Sequence, residues 1–259
     1  MLLKNKNAVI YGAGGAIGHG VATAFAREGA RVFLTGRSRE KLDALAETIT
    51  SAGGAAEVAV VDALDEQAVD EHARAVAADG GLDVSLNLIS RGDVQGVPLA
   101  DMSVADFTRA ATTGLTANFI TARAAARHMR EQGSGVILAL NSGSAHGSPM
   151  MGSTGPADAA TDIFVRNLAQ EVGPQGVRVL GLWVAGIPET LSPERLAGTN
   201  SSMQLDEAAF QGVLGHLASM RMLRRSPSLD EVANAAAFLA SDRTSLTGTF
   251  INATGMFPS

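Results

Sequence analysis

The chain has 259 residues, of which 46% are apolar and 18% are charged, a length that supports a sizeable hydrophobic core within one domain. Its formal net charge of -6, with arginines and lysines scattered along the sequence, argues against nucleic acid or an anionic membrane as the main partner. The sequence has no cysteine, which excludes disulfides and thiolate metal sites, and its start lacks the long apolar stretch of a signal peptide or membrane span. We therefore expect a cytoplasmic protein that acts on a small molecule without a metal.

Short apolar runs alternate with amphipathic stretches, the pattern of parallel strands that crossover helices bury on both faces. The predicted strands are 8–11, 31–35, 57–61, 82–89, 136–140, 177–184 and 249–252. A first helix ends at Gly29, Ser38 is expected to cap the second, and Ser228 with Glu231 predicts a capping box. Further helices are predicted at 65–78, 103–131, 156–172, 206–219 and 228–240. The result is an α/β fold with a doubly wound, seven-stranded parallel sheet flanked by helices.

A glycine-rich segment, YGAGGAIGHG, follows the first predicted strand directly and begins the first helix. Gly12 and Gly14 permit a tight turn and a close approach of the backbone to a pyrophosphate, and the helix amides near Ile17 and Gly18 carry a partial positive charge. A tight strand-to-helix turn that binds nothing is the alternative. The strand, loop and helix context favours a dinucleotide cofactor at these four residues.

Beyond this loop, the chain resembles the classical short-chain dehydrogenase/reductase family over nearly its whole length. The family pattern TGxxxGxG is present with Tyr11 for the threonine and Ala16 for the middle glycine. Residues 165–179, VRNLAQEVGPQGVRV, look like the family segment that leads into the sixth strand, and residues 230–255 look like its C-terminal signature. The resemblance implies one Rossmann-like domain over residues 1–259, an oxidoreductase activity with a nicotinamide cofactor, and a substrate lid at 191–222.

The second strand ends in LTGRSREK, with Gly36 where an NAD enzyme places an acid for the ribose hydroxyls. Arg37 and Ser38 follow, and a guanidinium can bind a phosphate with two hydrogen bonds. These residues favour NADP(H) over NAD(H), although Arg37 could also be an ordinary solvated residue. At the end of the third strand, Asp62 stands where the family contacts adenine, and its alternative role is to cap the following turn.

Two further residues are assigned to the cofactor through the resemblance alone. Asn87 retains the first asparagine of the family's NNAG segment, while Leu88, Ile89 and Ser90 replace the rest. Thr190, in AGIPET, matches the threonine that meets the nicotinamide carboxamide.

The family's catalytic residues are a serine that polarises the substrate carbonyl, a tyrosine that transfers the proton, a lysine that holds the nicotinamide ribose, and an asparagine that anchors a water. This chain has one tyrosine, Tyr11, and three lysines, Lys4, Lys6 and Lys41, all in its first sixth. The tyrosine and lysine chemistry therefore has no residues in the expected segment, whatever alignment is chosen.

Transferring the family positions onto this chain places Thr154 at the tyrosine, Asp158 at the lysine and Gly114 at the asparagine, and only the serine remains, as Ser142. A threonine hydroxyl is a much weaker acid than a phenol, which has a pKa near 10. Asp158 has the opposite charge to lysine and cannot do what the lysine does.

Two residues near the expected pocket could still handle protons. His146 lies on the loop after Ser142 and could serve as a proton donor or be a surface histidine. Asp158 lies one helical turn beyond Thr154 and could act as an acid, pair with a cationic substrate, or be solvated in an opened pocket. Met150 and Met151 are expected to form an adaptable apolar wall.

Three functional hypotheses follow. The first is an NADP(H)-dependent oxidoreductase with a non-standard active site, acting on an imine or iminium, an enone or an activated ketone. The second is an inactive member that binds cofactor or serves as a structural subunit, for example in a hetero-oligomer with an active relative. The third is a redox-neutral lyase, isomerase or cyclase. The resemblance implies a homotetramer or homodimer assembled through the helices at 103–131 and 156–172.

Overall fold

The computed structural model describes residues 1–200 and 204–255, and in this part of the chain seven strands form one parallel sheet. The strands are β1 (Asn7–Tyr11), β2 (Arg31–Gly36), β3 (Ala55–Val60), β4 (Val84–Asn87), β5 (Gly135–Asn141), β6 (Val177–Trp183) and β7 (Phe250–Asn252). Their spatial order is β3-β2-β1-β4-β5-β6-β7, so the winding direction reverses between β1 and β4. The predicted doubly wound parallel fold is confirmed.

Helices cover both faces of the sheet. They are α1 (Ala16–Arg27), α2 (Arg39–Ser51), α3 (Glu66–Ala78), α4 (Val104–Gln132), α5 (Thr154–Val172), α6 (Pro193–Thr199), α7 (Glu207–Ser219) and α8 (Leu229–Ala240). Alternate strand residues enter two separate apolar clusters, one shared with α1, α2 and α8 and the other with α3, α4 and α5. None of the helices in the described residues is long and apolar enough to cross a membrane.

Several predicted boundaries and caps change in the structure. The predicted strand at 82–89 is shorter, because after Asn87 the chain leaves the sheet to begin a loop towards α4. Ser38 stands at the N-cap of α2 but its side chain makes no capping hydrogen bond, so the predicted cap is wrong. The capping box of Ser228 and Glu231 is confirmed at α8. Helix α6 was not predicted, and positions 201–203 of the expected lid lie outside the described residues.

The carboxyl ends of the strands bring distant segments together at one edge of the sheet. Gly12 follows β1 with φ +80°, and a Cβ there would lie 2.8 Å from the carbonyl carbon and oxygen of Leu88, just past β4. The glycine-rich loop therefore packs directly on the segment that leads from β4 into the loop 88–103. Ligands of open parallel sheets bind in the crevice outside such strand ends, where the winding reverses.

Candidate functional site

The glycines of the loop after β1 differ in whether the fold itself requires them. Gly12 is fixed by its positive φ and its close contact with Leu88, and a Cβ at Gly18 would collide with the Gly12 carbonyl oxygen. The fold alone therefore requires both of these glycines. Gly14 differs, because a Cβ there would meet only the Lys41 and Leu42 side chains, at 3.3 Å or more. Gly14 is half-buried, and its lack of a side chain is not required by close packing.

The N-terminus of α1 carries free donors. The amides of Gly12 and Ala13 donate to the Thr35 carbonyl oxygen, but none of the described residues accepts from the amides of Ile17 and Gly18. The first turn has no acidic residue and the N-cap makes no side-chain hydrogen bond. Such an end of a helix is suited to an anionic group, and phosphate is the usual one.

Cationic and hydroxyl groups lie beside this loop. Arg37 is exposed and has no ion pair or hydrogen bond within residues 1–200 and 204–255, and the Ser38 hydroxyl is likewise unbound. The Lys41 side chain, one turn into α2, has its Cβ at 3.3 Å from a Cβ placed on Gly14. The sequence interpretation missed Lys41, which lies in the first turn of α2, four residues after Arg37. This donor set fits a dinucleotide with an additional phosphate on its adenosine half.

The remaining cofactor predictions fall on side chains that already have partners. An oxygen of Asp62 accepts the Leu64 amide at 3.0 Å, which is the turn role that had been the alternative. The Asn87 amide donates to the Asn118 side-chain oxygen at 2.8 Å, in the interior between β4 and α4. The Thr190 hydroxyl donates to a backbone carbonyl within its own turn at 2.9 Å. Their roles towards a cofactor stay predictions.

Asp158 lies at the centre of the opposite end of the crevice and is fully buried. Its Oδ2 accepts from the Ser142 amide at 3.0 Å, the Ser142 hydroxyl at 2.7 Å and the Ser144 amide at 2.9 Å. Its Oδ1 accepts from the Arg91 guanidinium at 2.7 Å. The prediction of a solvated aspartate in an opened pocket is therefore wrong, since Asp158 is fully buried and both of its oxygens accept from donors of the protein itself.

Arg91 connects Asp158 to a second carboxylate. Its Nη2 lies 2.8 Å from Asp93 Oδ1 and its Nη1 lies 2.7 Å from Asp158 Oδ1. Burial opposes the charge of Arg91, but the two carboxylates together raise the pKa of the guanidinium above its ordinary value. The Thr154 hydroxyl donates to Asp93 Oδ1 at 2.9 Å. We call Asp93, Arg91 and Asp158 the Asp–Arg–Asp cluster.

The cluster was missed from the sequence. Arg91 and Asp93 follow β4 in the tripeptide RGD, which reads as an ordinary polar loop. The structure connects the cluster to Gly114, because a Cβ at that position would lie 2.5 Å from Arg91 Cδ. The absence of a side chain at position 114 makes room for the Arg91 stem, so the glycine on α4 and the arginine on the loop belong to one arrangement.

Ser142 is close to Asp158 and Thr154 but its hydroxyl proton is already committed. It donates to Asp158 Oδ2, and its oxygen lies 2.8 Å from the Ser144 hydroxyl. A hydroxyl has one proton, so Ser142 can polarise a substrate only by releasing the carboxylate. The predicted polarising role requires that exchange.

His146 lies apart from the cluster, on a short 3₁₀ helix (Ser144–His146), with an exposed side chain. Its ring meets Trp183 edge-on with centroids 5.4 Å apart.

Asp162, one turn beyond Asp158, is half-buried, and burial raises the pKa of its carboxyl although the Asn141 amide at 2.6 Å opposes that rise. Met150 is 51% exposed on the loop before α5, where it can form part of an apolar wall, as can Met151, which is half-buried.

Tyr11 and most of the lysines lie away from this end of the crevice. Tyr11 is 2% exposed in the core beside α3, and burial raises the pKa of its phenol far above the ordinary value. Lys4 and Lys6 precede β1, at the amino end of the sheet, where Lys6 pairs with Asp83 and Asp242. Among the described residues, the Asp–Arg–Asp cluster therefore has neither a phenol nor an ammonium group at hand.

Comparison with known proteins gives a consistent set of relatives. Residues 12–255 match the family described as Enoyl-(Acyl carrier protein) reductase. The chain is 30% identical to 7alpha-hydroxysteroid dehydrogenase of Escherichia coli (strain K12), over 94% of this chain and 90% of that protein. It is also 30% identical to L-rhamnose 1-dehydrogenase (NAD(P)(+)) of Azotobacter vinelandii, over 93% and 92% of the two chains. The crystal structure of NAD+-bound xylitol dehydrogenase superposes with a TM-score of 0.87 at 25% identity, over 99% of this chain and 100% of that one.

Proposed function

Since the chain belongs to the short-chain dehydrogenase/reductase family of oxidoreductases, we propose that it is an NADP(H)-dependent reductase whose active site lacks the tyrosine and lysine pair. Support for the NADP(H) preference comes from Arg37, which is exposed and has no ion pair or hydrogen bond within residues 1–200 and 204–255. Lys41 and the Ser38 hydroxyl add two donors at the same place, and no carboxylate stands at Gly36 to compete for the ribose. The free amides of α1 are suited to the pyrophosphate.

The substrate class follows from what the other end of the crevice lacks. When bound, the reduced nicotinamide supplies a hydride, which is two electrons and one proton. A carbonyl that accepts the hydride also needs a proton on its oxygen, and a positioned acid typically contributes 10² to 10⁴ in rate. Thr154 donates to Asp93 and Ser142 donates to Asp158, so neither offers that proton without breaking a hydrogen bond.

An acceptor that needs no proton in the hydride step fits this site better. In an iminium ion, the hydride adds to carbon, the carbon–nitrogen π electrons become the nitrogen lone pair, and a neutral amine results. An enone or an activated ketone is a weaker fit, because its oxygen becomes an enolate or alkoxide that water has to protonate. The proposed reaction is therefore reduction of an iminium, with enones and activated ketones as slower substrates.

The test is a titration with NADPH followed by a substrate comparison. We expect saturable binding of NADPH, then oxidation of NADPH with a cyclic iminium such as an N-methyl dihydroisoquinolinium, and slower or no oxidation with the ketone of the same ring size. Arg37→Ala should weaken NADPH by about tenfold while changing NADH little, because one charge-assisted contact to phosphate contributes about 1.5–3 kcal/mol. Equal weakening of both cofactors contradicts the phosphate role, and failure to bind either contradicts the proposed function.

A second candidate function is a catalytically inactive, cofactor-binding or structural subunit. One specific observation favours it: the hydroxyls of Ser142 and Thr154 both donate to carboxylates of the protein itself. Exposed apolar side chains on α4 and α5, such as Phe119 (48%) and Ile163 (52%), are suited to assembly as a dimer or tetramer. NADPH binding without turnover, together with co-purification of a tyrosine-containing relative, would favour this candidate. Substrate turnover without NADPH oxidation would instead favour a redox-neutral reaction.

A further inference from the structure

The Asp–Arg–Asp cluster carries an unbalanced charge in a place that water barely reaches. Asp158 is fully buried, and the side chains of Arg91 and Asp93 are 14% and 17% exposed. Two carboxylates and one guanidinium sum to a formal charge of -1. Arg109 lies next to Gly92 but is paired with Asp106 at 2.7 Å, and Asp162, one turn beyond Asp158, adds another carboxyl group to the surroundings. The excess negative charge therefore persists locally.

The cluster lies on the side of the crevice where the reactive half of a dinucleotide belongs. The phosphate donors, Arg37 and the α1 amides, stand over β1 and β2, on one side of the winding reversal. Dinucleotides bind across that reversal, so the half opposite to the adenosine extends over β4 and β5. Arg91 follows β4 and Ser142 follows β5, and both contact Asp158.

We propose that the Asp–Arg–Asp cluster discriminates between the two redox states of the cofactor, binding the oxidised form in preference to the reduced one. This inference rests on the proposed function. The oxidised nicotinamide ring carries a positive charge and the reduced ring is neutral, so a nearby net charge of -1 in a poorly screened place stabilises only the former. A lysine at position 158 would have the opposite effect.

The preference has a consequence for the hydride step. A protein that binds the oxidised form more tightly shifts the equilibrium of the bound cofactor towards oxidation by the ratio of the two affinities. Bound reduced cofactor is then a stronger hydride donor than free cofactor. The carboxylates would thus help a reduction that has no acid from the protein, by acting on the donor rather than on the acceptor.

Asp93→Asn is the variant that tests this. The amide is isosteric and changes the cluster charge from -1 to 0. It keeps one oxygen for Arg91 Nη2 and the Thr154 hydroxyl, and it loses only the longer bond from Arg91 Nε at 3.3 Å. We measure the dissociation constants of NADP⁺ and NADPH by calorimetry for the full-length protein at 0.15 M salt. In the variant, the ratio of the NADP⁺ constant to the NADPH constant should rise by about fivefold, the effect of one charge at about 10 Å with partial screening.

Two controls separate charge from structure. Asp101→Asn removes an exposed carboxylate on the same loop, and Thr154→Val removes the hydrogen bond to Asp93 without changing the charge. Neither should change the ratio by more than twofold. If Asp93→Asn unfolds at a much lower temperature than the wild type, Asp93→Ser supplies the same charge change. An unchanged ratio in a folded Asp93 variant that binds both forms overturns the inference alone, whereas a wild-type chain that binds neither form overturns the proposed function itself.

Discussion

The two ends of the crevice differ in how their polar groups are used. Over β1 and β2, the amides of Ile17 and Gly18 and the Arg37 guanidinium have no partner among the described residues. Over β4 and β5, by contrast, Asp158 accepts four hydrogen bonds from the protein and Arg91 is held by two carboxylates. The first end has donors available for an external anion, whereas the polar groups of the second end are hydrogen-bonded to one another.

The largest change in the free energy of unfolding is expected from disrupting the Asp–Arg–Asp cluster. Asp158→Ala removes one of the two carboxylates that hold Arg91 and also the acceptor of the Ser142 and Ser144 amides, and breaking such a buried pair typically costs about 3–5 kcal/mol of unfolding free energy. Urea unfolding followed by circular dichroism measures it. The double variant Arg91→Met with Asp158→Leu removes two of the three charges and should recover only part of the loss, because Asp93 is left without its cation. A single-variant loss below about 1 kcal/mol would mean that the ion pair is not what holds this end together.

A smaller effect is expected at the open end. Gly18→Ala places a methyl group against the Gly12 carbonyl oxygen, so the glycine-rich loop must shift, at a cost of about 1–3 kcal/mol. NADPH binding should be lost with it. Gly212→Ala is the matched control, since it also lies in a helix and its Cβ would meet nothing within 4 Å. That control should be neutral or stabilising by up to about 1 kcal/mol; equal behaviour of the two variants would show that the loop is not closely packed.

The smallest effect concerns pH and lies outside both ends of the crevice. Burial lowers the pKa of His72, which packs edge-on against Phe33. The unfolded chain takes up a proton near pH 6.5 and the folded chain does so only at lower pH, so the unfolding free energy should fall as pH drops from 7 to 5.

The contribution of His72 should be at most about 1 kcal/mol, and His72→Phe should flatten the fall. Exposed His19 is the control, and His19→Gln should leave the pH dependence as it is in the wild type. The same slope in all three proteins would place the titrating group elsewhere.

The sequence predicts the first end of the crevice much better than the second. The strand, glycine loop and helix are consecutive in the chain, so Gly12, Gly18 and Arg37 could be placed from local spacing alone. The Asp–Arg–Asp cluster joins residues 67 positions apart through side-chain geometry. The sequence shows that Gly114 stands where the family has an asparagine. It does not show why, because the space that the Arg91 side chain fills there depends on how the loop 88–103 folds over α4.

Asp158 shows the same limit. Its position on α5 was predicted correctly, one turn beyond Thr154, but the cation proposed for it was a substrate. The cation is Arg91 of the chain itself, and no periodicity in the sequence indicates that a polar loop supplies it. Its burial, in turn, follows from the amides of Ser142 and Ser144, which the turn after β5 directs towards it.

The most direct test of the central claim is a calorimetric titration of the wild-type chain with NADPH and, separately, NADH. The account predicts one saturable site per chain and at least about tenfold tighter binding of NADPH, because Arg37 and Lys41 offer unpaired charge to the additional phosphate. Equal affinity for the two cofactors, or no binding of either, would contradict it.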